Sequence, residues 1–178
     1  VRDAVLDAAA RLFAERGVHR VTLREVAAEA DVQLTLIGRY IGKREQLIAA
    51  VYERVSAQLV AALAATPLQR QPWGAHEPAD QWLALLAHHA HTGTTPGPSV
   101  ESPVRFLAGQ IRDRFGYDER SAALRASQVM ALALGWRLFE GFLLEEVGLG
   151  DLDRDLVRDD LNAIQHRFAA DPWTLADT

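Results

Sequence analysis

Thr22-Leu-Arg-Glu-Val-Ala-Ala-Glu-Ala-Asp-Val-Gln-Leu-Thr-Leu-Ile-Gly-Arg-Tyr40, with Ile41-Gly-Lys-Arg44 directly behind it, contains two short helical patterns joined by a tight turn. Thr22 is a candidate N-cap: its hydroxyl accepts from a free N–H of the first turn, while Glu25, three residues on, reaches back to close a capping box. The first helix therefore starts near Thr22 and turns Val26 and Ala27 inward, where the small Ala27 lets two helices cross closely. Asp31 sits at the turn. That position calls for a backbone near left-handed φ/ψ, which Gly adopts freely and Asp tolerates better than most types. The second helix, Gln33 to Tyr40, buries Val32, Leu36 and Ile37 and leaves Gln33, Leu34, Thr35, Gly38 and Arg39 facing outward. A helix-turn-helix of this kind lays its second helix in the major groove of DNA, with those outward residues against the base edges.

Working outward, three segments stand in order: Val5-Leu-Asp-Ala-Ala-Ala-Arg-Leu-Phe-Ala-Glu-Arg-Gly17, then Thr22 to Val32, then Leu36-Ile-Gly-Arg-Tyr-Ile-Gly-Lys-Arg-Glu-Gln-Leu47. Together they resemble the DNA-binding domain of tetracycline-repressor-like (TetR family) regulators. The resemblance implies an all-α homodimer. Its N-terminal three-helix domain, residues 1–44, grips a palindromic operator as a repressor, and a connector helix leads to a helical C-terminal domain, residues 45–178, that binds a small molecule and controls the grip. Three positions depart from the family pattern. Asp31 replaces the usual turn Gly, Gly38 replaces an aromatic that touches a phosphate, so that Tyr40 inherits this contact, and Lys43-Arg44 replaces a Ser-Lys pair, keeping a cation but losing a good N-cap.

Physical chemistry assigns roles to these residues separately. Arg39 carries a planar fork of donors that fits guanine O6 and N7, a pairing worth roughly 1–3 kcal/mol of discrimination, although an exposed Arg also suits phosphate. Arg24 matches a position that reads a base in some family members and is otherwise a solvated arginine. Thr22, Tyr40, Lys43 and Arg44 are candidates for phosphate contacts, which fix register without reading sequence.

Residues 1–55 hold nine Lys or Arg against eight Asp or Glu, so the reading head is close to neutral at +1 and the remainder carries −6, which gives the net −5. The cations must therefore act locally, and the acidic remainder must stay clear of the duplex. At 178 residues and 49% hydrophobic composition the chain has the makings of a sizeable core. No apolar run approaches the roughly 18–20 residues that span a bilayer and no secretory leader opens the sequence, so a cytoplasmic protein without membrane contact is expected. The absence of cysteine excludes disulfides and thiolate chemistry.

Beyond the reading head only helical periodicity appears. Glu45 to Ala65 spaces Leu47, Ile48, Val51, Tyr52, Val55, Leu59 and Leu63 as one amphipathic stripe. Thr66 to Pro78, with Pro67, Pro72 and Gly74, breaks the pattern, and Ala79 to Thr92 resumes it. A second break, Gly93 to Glu101, holds Pro96, Gly97 and Pro98. Ser102 and Pro103 open a helix that Gly116 closes, and Asp118 caps a long one ending near Val147. In that helix, Val129 to Leu144 carries only Arg137 and Glu140 as charges, and Ala131, Gly135 and Gly141 permit close approach. It and the last helix form the expected dimer contact, through residues 119–147 and 153–169; the alternative is ordinary monomer core.

Trp82, Leu86 and His89 share a helical face, and Phe106, Met130, Trp136 and Arg137 follow on later helices; they are candidates to line an effector pocket, or simply core. No cofactor is implied. His88 and His91, three apart with His76 upstream, offer two imidazoles to a metal, which makes a zinc-dependent hydrolase the rival reading. A catalytic site needs a third ligand and an open position, and no nucleophile, phosphate-binding or dinucleotide motif accompanies the histidines, so no enzyme is expected. A third reading is a helical module that docks another protein through Leu34 and Gly38; Arg39, Lys43 and Arg44 argue against it.

Overall fold

The computed structural model describes residues 1–65, 77–95 and 101–171, all of whose regular elements are helical. Pro67, Pro72, Gly74, His76, Pro96, Gly97 and Pro98, which mark the two expected breaks, lie outside the described residues. The elements are α1 (Arg2–Arg16), a single 3₁₀ turn (Val18–Arg20), α2 (Leu23–Glu29), α3 (Leu34–Tyr40), α4 (Arg44–Ala64), α5 (Glu77–Thr92), α6 (Pro103–Phe115), α7 (Glu119–Glu146) and α8 (Arg154–Ala170). α5 begins two residues before the expected Ala79. Pro78 therefore lies in its first turn, where the missing N–H has no intrahelical partner to lose.

The described residues pack into two compact units, 1–61 with 77–95 and 101–102, and 62–65 with 103–171. This grouping does not follow the boundary at residue 44, because α1 packs against α5 as well as against α2 and α3. In the first unit the core is Val5, Leu6, Phe13, Val18, Val26 and Ile37 with Leu47, Val51 and Val55 of α4. Two long-range polar clamps hold α4 in place. Arg54 donates from Nε and Nη2 to the two carboxylate oxygens of Asp7 at 2.8 and 3.0 Å, and from Nη1 to Asp3 at 2.8 Å. The Asp7 bonds and both carboxylate charges raise the Arg54 pKa further. Arg44 donates to the backbone carbonyls of Val18 and Val21.

The Arg54 clamp is paired and forked but partly open to water, so its net worth is that of one or two charge-assisted bonds. Arg54→Ala is expected to lower the unfolding free energy by about 1–2 kcal/mol, and Arg54→Lys, which keeps the charge without the fork, to recover only part of this. Urea denaturation followed by circular dichroism reads the difference; an unshifted midpoint in Arg54→Ala would contradict the clamp.

α4 also revises the membrane expectation. By length and composition alone this 21-residue helix, with a mean hydropathy of 1.4 over 18 residues, suits a bilayer, because Arg54 is flanked by two long apolar stretches. Its Leu47, Val51, Val55, Leu59 and Leu63 are buried within the protein instead, as one apolar stripe of an amphipathic helix.

In the second unit α6 packs on α7 and α7 on α8. Asp118 caps α7 by accepting from the N–H groups of Arg120 and Ser121 at 3.0 Å, and a hydrogen bond from the Ser121 side chain, with these backbone bonds, pulls its pKa down. Gly116, at φ 73°, supplies the left-handed residue that ends α6. Leu107, Ile111, Ala122, Ala126, Val129 and Met130 form the core. The buried Arg125 lies 4.5 Å over the Phe168 ring and donates to the carbonyl of Asp171, which also accepts from the Tyr117 hydroxyl. Only part of α7 is covered: Leu132, Leu138, Phe139, Phe142, Leu143 and Val147 are exposed along it, as are Leu156 and Ile164 on α8.

Candidate nucleic-acid interface

The local sequence sets the geometry of the reading head. Thr22 Oγ1 accepts from the Glu25 N–H at 3.3 Å while the Glu25 carboxylate accepts from the Thr22 N–H at 2.8 Å, so the capping box is closed. These bonds to Thr22, with Arg16 alongside, lower the Glu25 pKa. Asp31 adopts φ 51°, the left-handed turn required of it. α3 then runs from Leu34, with Gln33 as an N-cap that forms no side-chain bond. Ile37 is fully buried, and Val32 and Leu36 are half-buried rather than sealed, since a seven-residue helix offers the core only one complete inward position.

The outward face contains the expected residues. Gln33, Leu34, Thr35, Gly38, Arg39 and Tyr40 are all exposed on or beside α3, as are Thr22, Arg24 and Lys43. Pairing separates the cations of this unit. Arg11 is tied to Glu29, Arg16 to Glu25 and Arg54 to Asp3 and Asp7. Among the described residues, Arg24, Arg39 and Lys43 have no carboxylate partner, nor do Arg2 and Arg20, so their charge is available to an external anion. The Arg39 guanidinium instead lies 5.7 Å from the centre of the neighbouring Tyr40 ring.

Arg44 has a structural task beside its expected phosphate contact. It is half-buried, and the two donors it spends on Val18 and Val21 make it a strut between the start of α4 and the entry to α2, with only its outer edge left for a phosphate. The lost N-cap is partly replaced as well. Gln46 Oε1 accepts from the Lys43 N–H at 2.7 Å, and Gly42, at φ 111°, leaves the space that this side chain fills; a Cβ there would sit 2.0 Å from the Gln46 oxygen. Arg54, Gln46 and Gly42 were not singled out from sequence. Only the φ demand at Gly42, beside a helix start, gave a signal that sequence reading had the means to use.

The effector candidates divide between the units. Trp82, Leu86 and His89 lie on α5 in the first, where Trp82 is core at 2% exposure; Phe106, Met130, Trp136 and Arg137 lie in the second, where Met130 is core. His89 lines a cleft of about 450 Å³ between α4 and α5. Around His88 and His91, among the described residues, no group of three or more His, Asp or Glu is placed to hold an ion. His88 packs on His89 and His91 on His19, and His76 lies outside the described residues.

Residues 5–51 match the family of bacterial regulatory proteins named for tetR. The chain is 32% identical over 171 residues to the HTH-type transcriptional repressor Rv3405c of Mycobacterium tuberculosis, covering 91% of this chain and 85% of that one. It is 39% identical to the HTH-type transcriptional regulator BetI of Rhizobium meliloti over 75 residues, which are 39% of this chain and 37% of BetI. In fold it is similar to a TetR-like transcriptional regulator from Rhodococcus sp. RHA1, with a TM-score of 0.55, 19% identity and 96% of both chains covered. NalD, the secondary repressor of the MexAB-OprM multidrug efflux pump in Pseudomonas aeruginosa, gives a TM-score of 0.52 at 20% identity, with 97% of both chains covered.

Proposed function

Because the chain belongs to the TetR family of bacterial regulatory proteins, whose members bind DNA and form dimers, we propose that it is a dimeric repressor released from a palindromic operator by a small-molecule effector. It is a DNA-binding transcriptional regulator. The observation that carries the finer reading is the exposed face of α3, where Arg39 stands without a carboxylate partner between Gln33, Thr35 and Tyr40, with Lys43 just beyond.

Arg39 reads a base, and Thr22, Tyr40 and Lys43 hold phosphates, joined by the outer edge of Arg44. Two copies related by a two-fold axis then meet half-sites whose centres are roughly 34–36 Å apart, or a multiple of that. The exposed apolar face of α7 and α8 supplies the contact between copies. An effector acts by binding the DNA-competent and incompetent states unequally, and its effect is limited by the ratio of those affinities. Acting on the bacterial chromosome, the protein works in the cytoplasm.

Selection of bound fragments from a random duplex pool tests this directly. A palindromic consensus is expected, with affinity falling steeply between roughly 50 and 200 mM salt as counterions are no longer released to advantage. A pool without enrichment, or binding indifferent to salt, would overturn the reading.

A further inference from the structure

α4 turns positions 45, 48, 49, 52 and 53 to one side, the three- and four-residue spacing of a single helical face. That face, the last turns of α5 and the threonines that follow border an open cleft of about 450 Å³, which lies within the first unit. Its walls combine two carboxylates, Glu45 and Glu53, with the Tyr52 ring, His88, His89 and a threonine cluster. Neither Glu45 nor Glu53 has an ion-pair partner among the described residues, whereas Asp3, Asp7, Glu25 and Glu29 of the same unit are all paired with arginine. The histidine wall is held in shape. His89 Nδ1 lies 2.8 Å from Thr94 Oγ1, Thr92 Oγ1 donates to the His88 carbonyl at 2.9 Å, and the Tyr52 ring meets His89 edge-on at 6.0 Å.

Burial holds both imidazoles below their ordinary pKa, and for His88 the neighbouring His89, Arg44, His19 and His91 add to it. The lowered pKa favours the neutral imidazoles, which leaves Glu45 and Glu53 as the charged groups lining the cleft beside an aromatic wall. Eight residues of helix separate the carboxylates by about 12 Å along the axis, so a cation seated between them feels both, and an aromatic face attracts it further. We propose that this cleft is a binding site for a small organic cation, an ammonium carrying an apolar body. This rests on the effector-released reading above and names the chemical class of the effector. Glu45 directly follows the Lys43-Arg44 pair, so occupancy is felt where α4 meets the reading head.

The test uses the whole protein and benzyltrimethylammonium, with phenylacetate and benzyl alcohol as anionic and neutral controls, in isothermal titration calorimetry at low salt. The cation is expected to bind at least tenfold more tightly than either control. Glu45→Gln and Glu53→Gln, both at exposed positions, each weaken it by about three- to tenfold, while Glu15→Gln, outside the cleft, leaves it unchanged. Tyr52→Leu, which keeps the apolar bulk, weakens it by about two- to fivefold.

Protonation supplies a second readout. As pH falls through the lowered pKa of His88 and His89, the two imidazoles gain charge, so affinity for the cation drops. His19, His91 and Arg44 stand beside the same wall. His89→Gln flattens that profile. Equal binding of cation and anion, no binding of the cation, or Glu→Gln variants that bind like the parent would each overturn the proposal. Duplex binding is measured alongside: if it persists while cation binding fails, only the cleft assignment falls, whereas loss of all duplex binding strikes the regulatory reading itself.

Discussion

Arg39→Ala is expected to bring the operator and random duplex closer in affinity by about thirtyfold. The estimate takes about 1 kcal/mol of base discrimination per subunit, the low end for a bidentate guanine contact, and counts it in both subunits of a symmetric complex. Arg39 is exposed and free of any carboxylate partner among the described residues, so removing it breaks no clamp in the protein. Alanine is a better helix former than arginine, and α3 itself should be unharmed. The loss then lies in recognition and not in folding. Lys43→Ala makes the contrast. A phosphate contact carries no base information, so this variant weakens operator and random duplex together and reduces the slope of log affinity against log salt by about one per subunit. Fluorescence anisotropy with the selected operator and a scrambled duplex, at several salt concentrations, measures both. If Arg39→Ala lowers the two affinities by the same factor, Arg39 is a phosphate contact, and base reading passes to Gln33, Thr35 or Arg24.

The parts of the reading head that were legible in the sequence are those set by neighbours. The Thr22 box closes over three residues, the Asp31 turn depends on one backbone conformation, and α3 presents the outward side chains that its periodicity required. What could not be read depends on distant partners. Arg54 reaches Asp7 across 47 residues and Arg44 reaches Val18 across 26, and nothing local distinguishes a clamping arginine from a phosphate-binding one. The effector candidates show the same limit. Periodicity put Trp82, Leu86 and His89 on one face of α5, yet it could not tell which of them would be packed as core and which would border open space. Trp82 is sealed and His89 lines the cleft, because the buried apolar positions of α5, Ala79, Trp82 and Leu85, lie in its first nine residues and its later turns are exposed or half-buried. Glu45 and Glu53 are illegible for a related reason: on a helix pattern alone, an exposed carboxylate reads as solvated surface.

Phe142→Asp and Leu138→Asp are expected to dissociate the dimer with the fold intact. Phe142 is 67% exposed and Leu138 58%, so in the single chain each substitution places a charge in water and costs little. In a two-fold contact the same position is buried and occurs twice, and an unpaired carboxylate there must be desolvated in both copies. At about 2 kcal/mol for each lost apolar anchor, two copies cost about 4 kcal/mol, which raises the dimer dissociation constant by about a thousandfold. Gly135 and Gly141 favour this face over a merely greasy surface. A Cβ built at either meets nothing within 4 Å, so neither glycine is required by packing inside the chain, and both leave room for a partner's backbone. Sedimentation of the parent and variants gives the association constant, and circular dichroism confirms that the helices persist. Operator binding should fall with dimerisation, since a lone reading head keeps only half of the contacts, while weak binding to random duplex survives. A Phe142→Asp, Leu138→Asp double variant that remained dimeric would move the contact elsewhere and leave the exposed face of α7 without an occupant.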